Sequence, residues 1–243
     1  MKVTLLSYTP EPEKLVAMAA KLCYSNEVSI ESLDESLEDK GKVARFVRKL
    51  MSMHHYSPLE HVSFTFGIEG CSRSFLAQIS RHRLASFSVR SQRYCEEDSA
   101  RFVEPSAIHQ DELARDEFRI AMESAWSSYN ELRNLGMEKE DARAVLPNAC
   151  ATRMIVTMNA RELLHFFSLR CCTRSQQEIR RVAEEMLLKC KEVAPTIFEN
   201  SGASCVQFGF CPEGRNSCGR KPTLEDLKKF AKQYTASRAD EEA

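Results

Sequence analysis

The chain has 243 residues, enough for one large domain or two small ones with a full core. Its 34 Lys and Arg stand against 35 Asp and Glu, for a net charge of −1, which argues against a dedicated nucleic-acid binder, since these are usually basic overall. No apolar run reaches ~18 residues, the N-terminus MKVTLLSYTPEPEK turns acidic too soon for a signal peptide, and most of the ten cysteines fall inside expected helices or strands. We therefore expect a cytoplasmic chain with reduced thiols, no export signal and no membrane span.

Residues 2–8 (KVTLLSY) read as a first strand, and a helix follows from about Glu11 to Cys23. Val43, Phe46, Val47, Leu50 and Met51 recur at helical spacing and predict a second helix. After the polar loop HHYSPLEH, Val62, Phe64, Phe66 and Ile68 alternate with Ser63, Thr65 and Gly67, the pattern of a strand with one buried face. Residues 72–83 predict a helix that delivers an arginine-rich stretch at its C-terminal end. A long helix over 106–135 is stopped by Gly136. Met154, Val156 and Met158 predict another strand. NARE then opens a helix, with Asn159 as N-cap and Glu162 at the third helical position. A second capping box, SQQE from Ser175 to Glu178, opens an amphipathic helix bearing Ile179, Val182, Met186, Cys190 and Val193. Few strands among many helices give an α+β class: helices packed on a small, mostly antiparallel sheet.

The stretch RHRLASFSVRSQRY, residues 81–94, holds four arginines and a histidine with no acid among them. Guanidinium groups in excess are planar, always-charged donors that grip phosphate or carboxylate in pairs, and Ser91 and Gln92 add neutral donors. The plain alternative is a solvated basic loop paired with Glu96, Glu97 and Asp98 just downstream. In RELLHFFSLR, Leu163, Phe166, Phe167 and Arg170 share one helical face. An arginine there meets an anion or a polar ligand, forms a core salt bridge, or snorkels to the surface. His54, His55, Glu60 and His61 cluster in HHYSPLEH, but at no zinc-site spacing. In CVQFGFCPEGRNSCGR, Cys205, Cys211 and Cys218 are separated by five and six residues. No CxxC pair occurs and a zinc site would need a fourth ligand such as Cys190, so a structured Gly-rich turn is the preferred reading and no metal is expected. Neither GxGxxG nor a Walker loop is present, so any nucleotide must be held by side chains, mostly arginines.

Arg81-His82-Arg83, seven residues, then Ser91-x-Arg93-Tyr94 resembles the signature of the flavin-dependent thymidylate synthases. HYSPLEHVSFTF at 55–66 looks like the family's His-x-x-Pro-x-Glu-His loop and strand. Gln78, Arg143-x-x-Leu146-Pro147, Asn159-x-Arg161 and Leu169-Arg170 follow in family order, and the likeness covers about residues 1–200. The resemblance implies synthesis of dTMP from dUMP, with methylenetetrahydrofolate as one-carbon donor and reduced FAD, regenerated by NADPH, as hydride donor. It implies a homotetramer whose partners are small-molecule substrates (dUMP, folate and NADPH), with no nucleic-acid or membrane partner. It places His55, Ser57, Glu60, Arg81, His82, Arg83, Asn159, Arg161 and His165 at FAD. It places Gln78, Arg81, Val89, Arg90, Ser91, Gln92, Arg93, Arg143 and Arg170 at dUMP, with Arg170 and Ser91 in catalytic roles. Arg170 would face the uracil ring and favour charge on its carbonyl, an oxyanion-type role. Val89 stands where many members carry Glu or Gln, and Arg174 where a histidine is frequent. The Pro-Cys-His setting of the classical thymidylate synthases does not occur. We expect one catalytic α+β domain over 1–220 and a charged, partly disordered helical tail over 221–243. The rival reading is a non-catalytic single-stranded RNA-binding protein that uses the Arg81–Tyr94 segment, with Phe87 and Tyr94 as stacking groups.

Overall fold

Alternation of apolar and small polar side chains builds a four-stranded antiparallel sheet, ordered β1-β2-β4-β3, from β1 (Lys2–Tyr8), β2 (Ser63–Ser72), β3 (Ala85–Val89) and β4 (Ala151–Asn159). The helices are α1 (Pro12–Leu22), α2 (Ile30–Glu35), α3 (Lys40–Ser52), α4 (Arg73–Ile79), α5 (Ser106–His109), α6 (Glu112–Asn134), α7 (Lys139–Ala142), α8 (Ala160–Arg170), α9 (Gln177–Val193) and α10 (Ser204–Phe208). Three 3-10 turns, Ser57–His61, Arg143–Val145 and Gly214–Asn216, join them. The computed structural model describes residues 1–23, 25–26, 29–95 and 101–229. It forms two units, Met1–Thr9 with Ser63–Asn159, and Pro10–Val62 with the chain from Ala160 onward. The α+β class is as the sequence predicts.

The first unit holds the whole sheet. Phe64, Phe66 and Ile68 of β2 and Met154, Val156 and Met158 of β4 are buried, so the alternation read from sequence is the true pleat. Gly70, at φ 68, absorbs a register shift between Glu69 and Cys71, a conformation that favours glycine. The chain then enters α4, where Ser72 Oγ accepts from Phe75 N at 3.0 Å as N-cap. The helix expected over 72–83 stops at Ile79, and part of the arginine stretch is a strand. Ala85, Phe87 and Val89 alternate with Ser86 and Ser88, and pairing with β4 (Phe87 opposite Val156) wins over helix continuation. The helix expected over 106–135 is two helices, α5 and α6. Asp111 breaks it by acting as N-cap, its Oδ1 accepting from Ala114 N at 2.9 Å. Gly136 follows the end of α6 at φ 83.

In the second unit, α1 packs against α3 and against the Ser57–His61 turn, and α8 packs against α9 and the same turn. Its core includes Val16, Val47, Leu59, Leu163, Val182 and Met186, with Phe166, Phe167 and Phe198 meeting edge to face. The helix expected from NARE begins at Ala160. The capping box expected at Ser175 shifts by one residue. Gln176 caps α9 by accepting from Ile179 N at 3.3 Å. Ser175 is already engaged, its Oγ donating to Leu169 O at 2.9 Å at the end of α8. Of the tail expected over 221–243, residues 230–243 lie outside the described residues. Its described start turns on a reciprocal exchange between Thr223 and Asp226.

Candidate functional site

The first unit carries the arginine stretch. Arg90 N donates to Arg153 O at 3.0 Å, extending the β3–β4 ladder by one residue. Arg73, on α4, donates from Nη2 to Arg90 O at 3.1 Å and pins the chain as it leaves the sheet. A tight turn follows: Ser91 Oγ accepts from Arg93 N at 3.1 Å, and Ser91 O accepts from Cys95 N at 3.0 Å. The turn buries Gln92, whose side-chain Nε2 has no hydrogen-bond partner among the described residues. A buried amide donor left open is costly and marks a place where a ligand oxygen fits.

Arg93 points from this turn to the carboxylate of Glu140 on α7, and its guanidinium lies 5.3 Å from the Tyr94 ring centroid. Arg143, on the 3-10 turn after α7, donates from Nε to Glu140 O at 3.0 Å. Two arginines fifty residues apart in sequence thus address one residue. Both partners of the Arg93–Glu140 pair are about half exposed, at 54% and 43%, so the pair is readily exchanged for a better anion. Arg81 and Arg83 are exposed and take no acid partner among the described residues, whereas His82 between them is buried. The acids Glu96, Glu97 and Asp98, which the solvated-loop reading pairs with these arginines, lie outside the described residues. Gln78 sits on α4, its Nε2 donating to Ser74 O at 3.3 Å, and half-buried Val89 ends β3. Asn159 closes β4.

The second unit carries the remaining expected residues. Leu59 is buried and anchors the Ser57–His61 turn, leaving His55, Ser57 and Glu60 exposed. On α8, Leu163, Phe166 and Phe167 face the core, while Arg161 and His165, one helical turn apart, face outward. Arg161 forms an ion pair with Glu60. Glu162, between Arg161 and His165 in sequence, is buried, and loss of water raises its carboxyl above the ordinary range, partly offset by His165. Arg170 ends α8 and is half-buried on the Leu163–Phe166–Phe167 face, so the helical-face reading holds.

Two residues of this arrangement escape sequence reasoning. Nothing in the pattern marks Arg73 as a clamp on Arg90, and Glu140 is one acid among several in MEKEDAR.

The chemistry available follows from the donor set. The first unit offers guanidinium groups and an open amide donor, suited to a phosphate. The second offers an imidazole, a hydroxyl and a carboxylate–guanidinium pair on exposed faces, suited to the polar parts of a nucleotide-like cofactor.

The chain is similar to known proteins over the stretch that carries these residues. Residues 4–196 match the family model described as thymidylate synthase complementing protein. The chain is 48% identical over 243 residues to a flavin-dependent thymidylate synthase of Clostridium tetani, covering 93% of this chain and 96% of that one. It is 50% identical over 229 residues to a flavin-dependent thymidylate synthase of Geobacter sulfurreducens, covering 93% and 97%. Among solved structures it is similar to the UMP/dUMP methylase PolB of Streptomyces cacaoi, bound with 5-Br dUMP. That likeness has a TM-score of 0.66 and 28% identity, over 82% of this chain and 93% of that one.

Proposed function

The chain belongs to the flavin-dependent thymidylate synthase family, and on that premise we propose that it makes dTMP from dUMP, with methylenetetrahydrofolate as one-carbon donor and FAD as cofactor, reduced by NADPH. The observation that carries the reading is the meeting of Arg93 and Arg143 at Glu140, next to the open Gln92 amide. This is a cradle for a phosphate dianion, built on the turn where the family signature falls.

FAD, when bound, supplies the hydride for reduction of the one-carbon unit. The chain's own residues bind and orient. Arg93, Arg143, Gln92 and Ser91 hold the dUMP phosphate, with Gln78, Val89 and Arg90 along the nucleotide. For FAD, the first unit offers Arg81, His82, Arg83 and Asn159, and the second unit, taken by itself, offers His55, Ser57, Glu60, Arg161 and His165. The Glu60–Arg161 pair presents its guanidinium in a fixed orientation, which fits a cofactor rich in phosphate and carbonyl acceptors. Arg170, half-buried at the end of α8, stabilises negative charge on the uracil carbonyl as carbon 5 is attacked.

We further propose a homotetramer. α6 runs for 23 residues and buries only Tyr129, while Leu113 and Ile120 stand 82% and 55% exposed in the single chain, apolar surface that an assembly would cover. We read residues 1–220 as the catalytic part of the chain, and its place as the cytoplasm: all ten cysteines are free thiols, and among the described residues no helix is long and apolar enough to cross a membrane. The RNA-binding reading loses one of its stacking groups, since Phe87 is half-buried in β3 opposite Val156.

The test is direct. The purified chain should be yellow with bound flavin and should form dTMP only when dUMP, methylenetetrahydrofolate and NADPH are all supplied. A colourless protein that forms no dTMP with FAD added removes the proposal.

A further inference from the structure

The arginine cradle of the first unit is built from two lengths of chain that lie far apart in sequence. One is the turn from Ser91 to Cys95, which carries Gln92 and Arg93. The other runs from Arg143 through the 3-10 turn and Pro147 to Cys150, just before β4. Leu146 N donates to Arg143 O at 3.0 Å, and Cys150 N donates to Pro147 O at 3.0 Å. Bonds of this local kind set the shape of each turn, but not the distance from one turn to the other.

Arg73, the first residue of α4, reaches both. Its backbone N donates to Cys150 O at 3.0 Å, and the next amide, Ser74 N, donates to Asn148 O at 3.0 Å. Amides of a first helical turn have no acceptor inside their helix, and here they hold the Pro147–Cys150 turn. The Arg73 side chain takes the other length. Its Nη2 donates to Arg90 O at 3.1 Å, one residue before Ser91. Arg90 is thus held on both sides, by the sheet at its N–H, which donates to Arg153 O at 3.0 Å, and by Arg73 at its carbonyl. A guanidinium bond to a carbonyl is charge-assisted and stronger than a neutral one. Arg73 is itself firmly seated. Its Nε is buried, and the buried Ser72 before it caps α4 and pairs with Ala151 at the end of the β2–β4 ladder.

We propose, on the dUMP reading given above, that Arg73 is a positioning residue for the nucleotide phosphate. It fixes the distance between the Ser91–Cys95 turn and the Arg143–Cys150 turns, and with it the separation of Arg93 and Arg143. Two guanidinium groups grip one phosphate together only when their spacing is held to within about 0.5 Å. Arg93 is about half exposed and sits on a surface turn, so its own packing does not supply that tolerance. On the same reading the phosphate replaces Glu140 on Arg93, and the bonds at Arg90 are unaffected by that exchange. Arg73 touches neither substrate nor cofactor on this account, and acts through the Arg90 carbonyl.

Steady-state kinetics and calorimetric titration of the FAD-loaded, full-length protein test the assignment. Arg73→Met keeps the stem and removes the donor. It should raise KM and Kd for dUMP about 10-fold. It should leave kcat and bound FAD nearly unchanged, because a grip on the phosphate is the same in the ground and transition states. Arg73→Lys keeps the charge but places its donor one bond nearer the backbone, so it should give an intermediate rise. In an Arg93→Ala background, Arg73→Met should weaken dUMP little further, because the group it positions is gone. An arginine that serves only the fold predicts otherwise: kcat, bound FAD and dUMP affinity fall together with the unfolding midpoint, and the loss is undiminished in Arg93→Ala. That outcome overturns the proposal, as does an unchanged dUMP Kd in Arg73→Met. Where Arg73→Met does not fold, Arg73→Lys decides, and an unchanged dUMP Kd there overturns it too. An unaltered protein that holds FAD yet binds no dUMP removes the dUMP reading itself, and this proposal with it.

Discussion

Arg93 is ion-paired with Glu140, so the arginine assigned to the dUMP phosphate is held by a carboxylate before any substrate arrives. Glu140 also receives Arg143 at its backbone carbonyl, at 3.0 Å. A half-exposed pair of this kind contributes only ~0–1 kcal/mol, less than a charge-assisted bond to phosphate. On the proposed assignment, Glu140 would be a placeholder that the phosphate displaces. Arg93→Ala should weaken dUMP binding by ~1.5–3 kcal/mol and leave FAD binding unchanged. Glu140→Gln should change folding stability by less than ~1 kcal/mol and should not weaken dUMP. Calorimetric titration of both ligands into both variants checks this, and unchanged dUMP affinity in Arg93→Ala removes the assignment.

The Glu60–Arg161 pair joins the loop HHYSPLEH to α8, and its side chains are 49% and 53% exposed. That exposure makes it a poor source of stability and a good presenter of charge. Arg161→Ala should lose bound flavin while the midpoint of urea unfolding of the flavin-free protein stays nearly constant. If the midpoint falls by the equivalent of ~2 kcal/mol or more, the pair is structural instead.

Glu162 supplies a pH dependence with a definite sign. Burial raises its folded-state pKa above the ordinary value of 4.5. The folded chain then binds more protons than the unfolded chain between 4.5 and the raised value, so stability falls as pH rises through that window. Glu162→Gln should flatten the fall, because an amide cannot ionise. Urea midpoints of both proteins measured from pH 4 to 8 provide the check, and parallel curves would show that Glu162 is not desolvated.

The elements with a full buried face were legible in sequence: Phe64, Phe66 and Ile68 in β2, and Ile179, Val182 and Met186 in α9, repeat at the period of their structure. β3 was not, because its serines and the flanking arginines mask a short strand whose inward side chains are only half buried. The break at Asp111 was hidden for a different reason. An N-cap inside a polar helical stretch looks like any exposed acid until its side chain is seen to accept from Ala114 N. The site was legible as a set of positions, since arginines, histidines and their spacing are in the sequence. Its pairings were not, because Arg93–Glu140 and Glu60–Arg161 depend on how distant segments meet.

Arg170 separates a catalytic role from a structural one. Leu163, Phe166 and Phe167 on its face of α8 are fully buried, and Arg170 itself is half-buried. If its charge acts on the uracil as attack begins, Arg170→Ala should lower the chemical rate by ~10²–10³ with little loss of FAD, as deleting one oxyanion donor does. Lysine should restore only part of the rate, because a point charge lacks the planar fork. A buried ion pair predicts instead a stability loss of ~3–5 kcal/mol. Thermal stability, bound flavin and single-turnover dTMP formation measured on one preparation of Arg170→Ala tell the two apart. A stable, flavin-loaded variant with slow turnover supports the catalytic role. Normal turnover in the same variant removes it, and an unstable Arg170→Ala whose stability and rate both return in Arg170→Lys assigns the residue to the fold, since a structural pair needs the charge but not the fork.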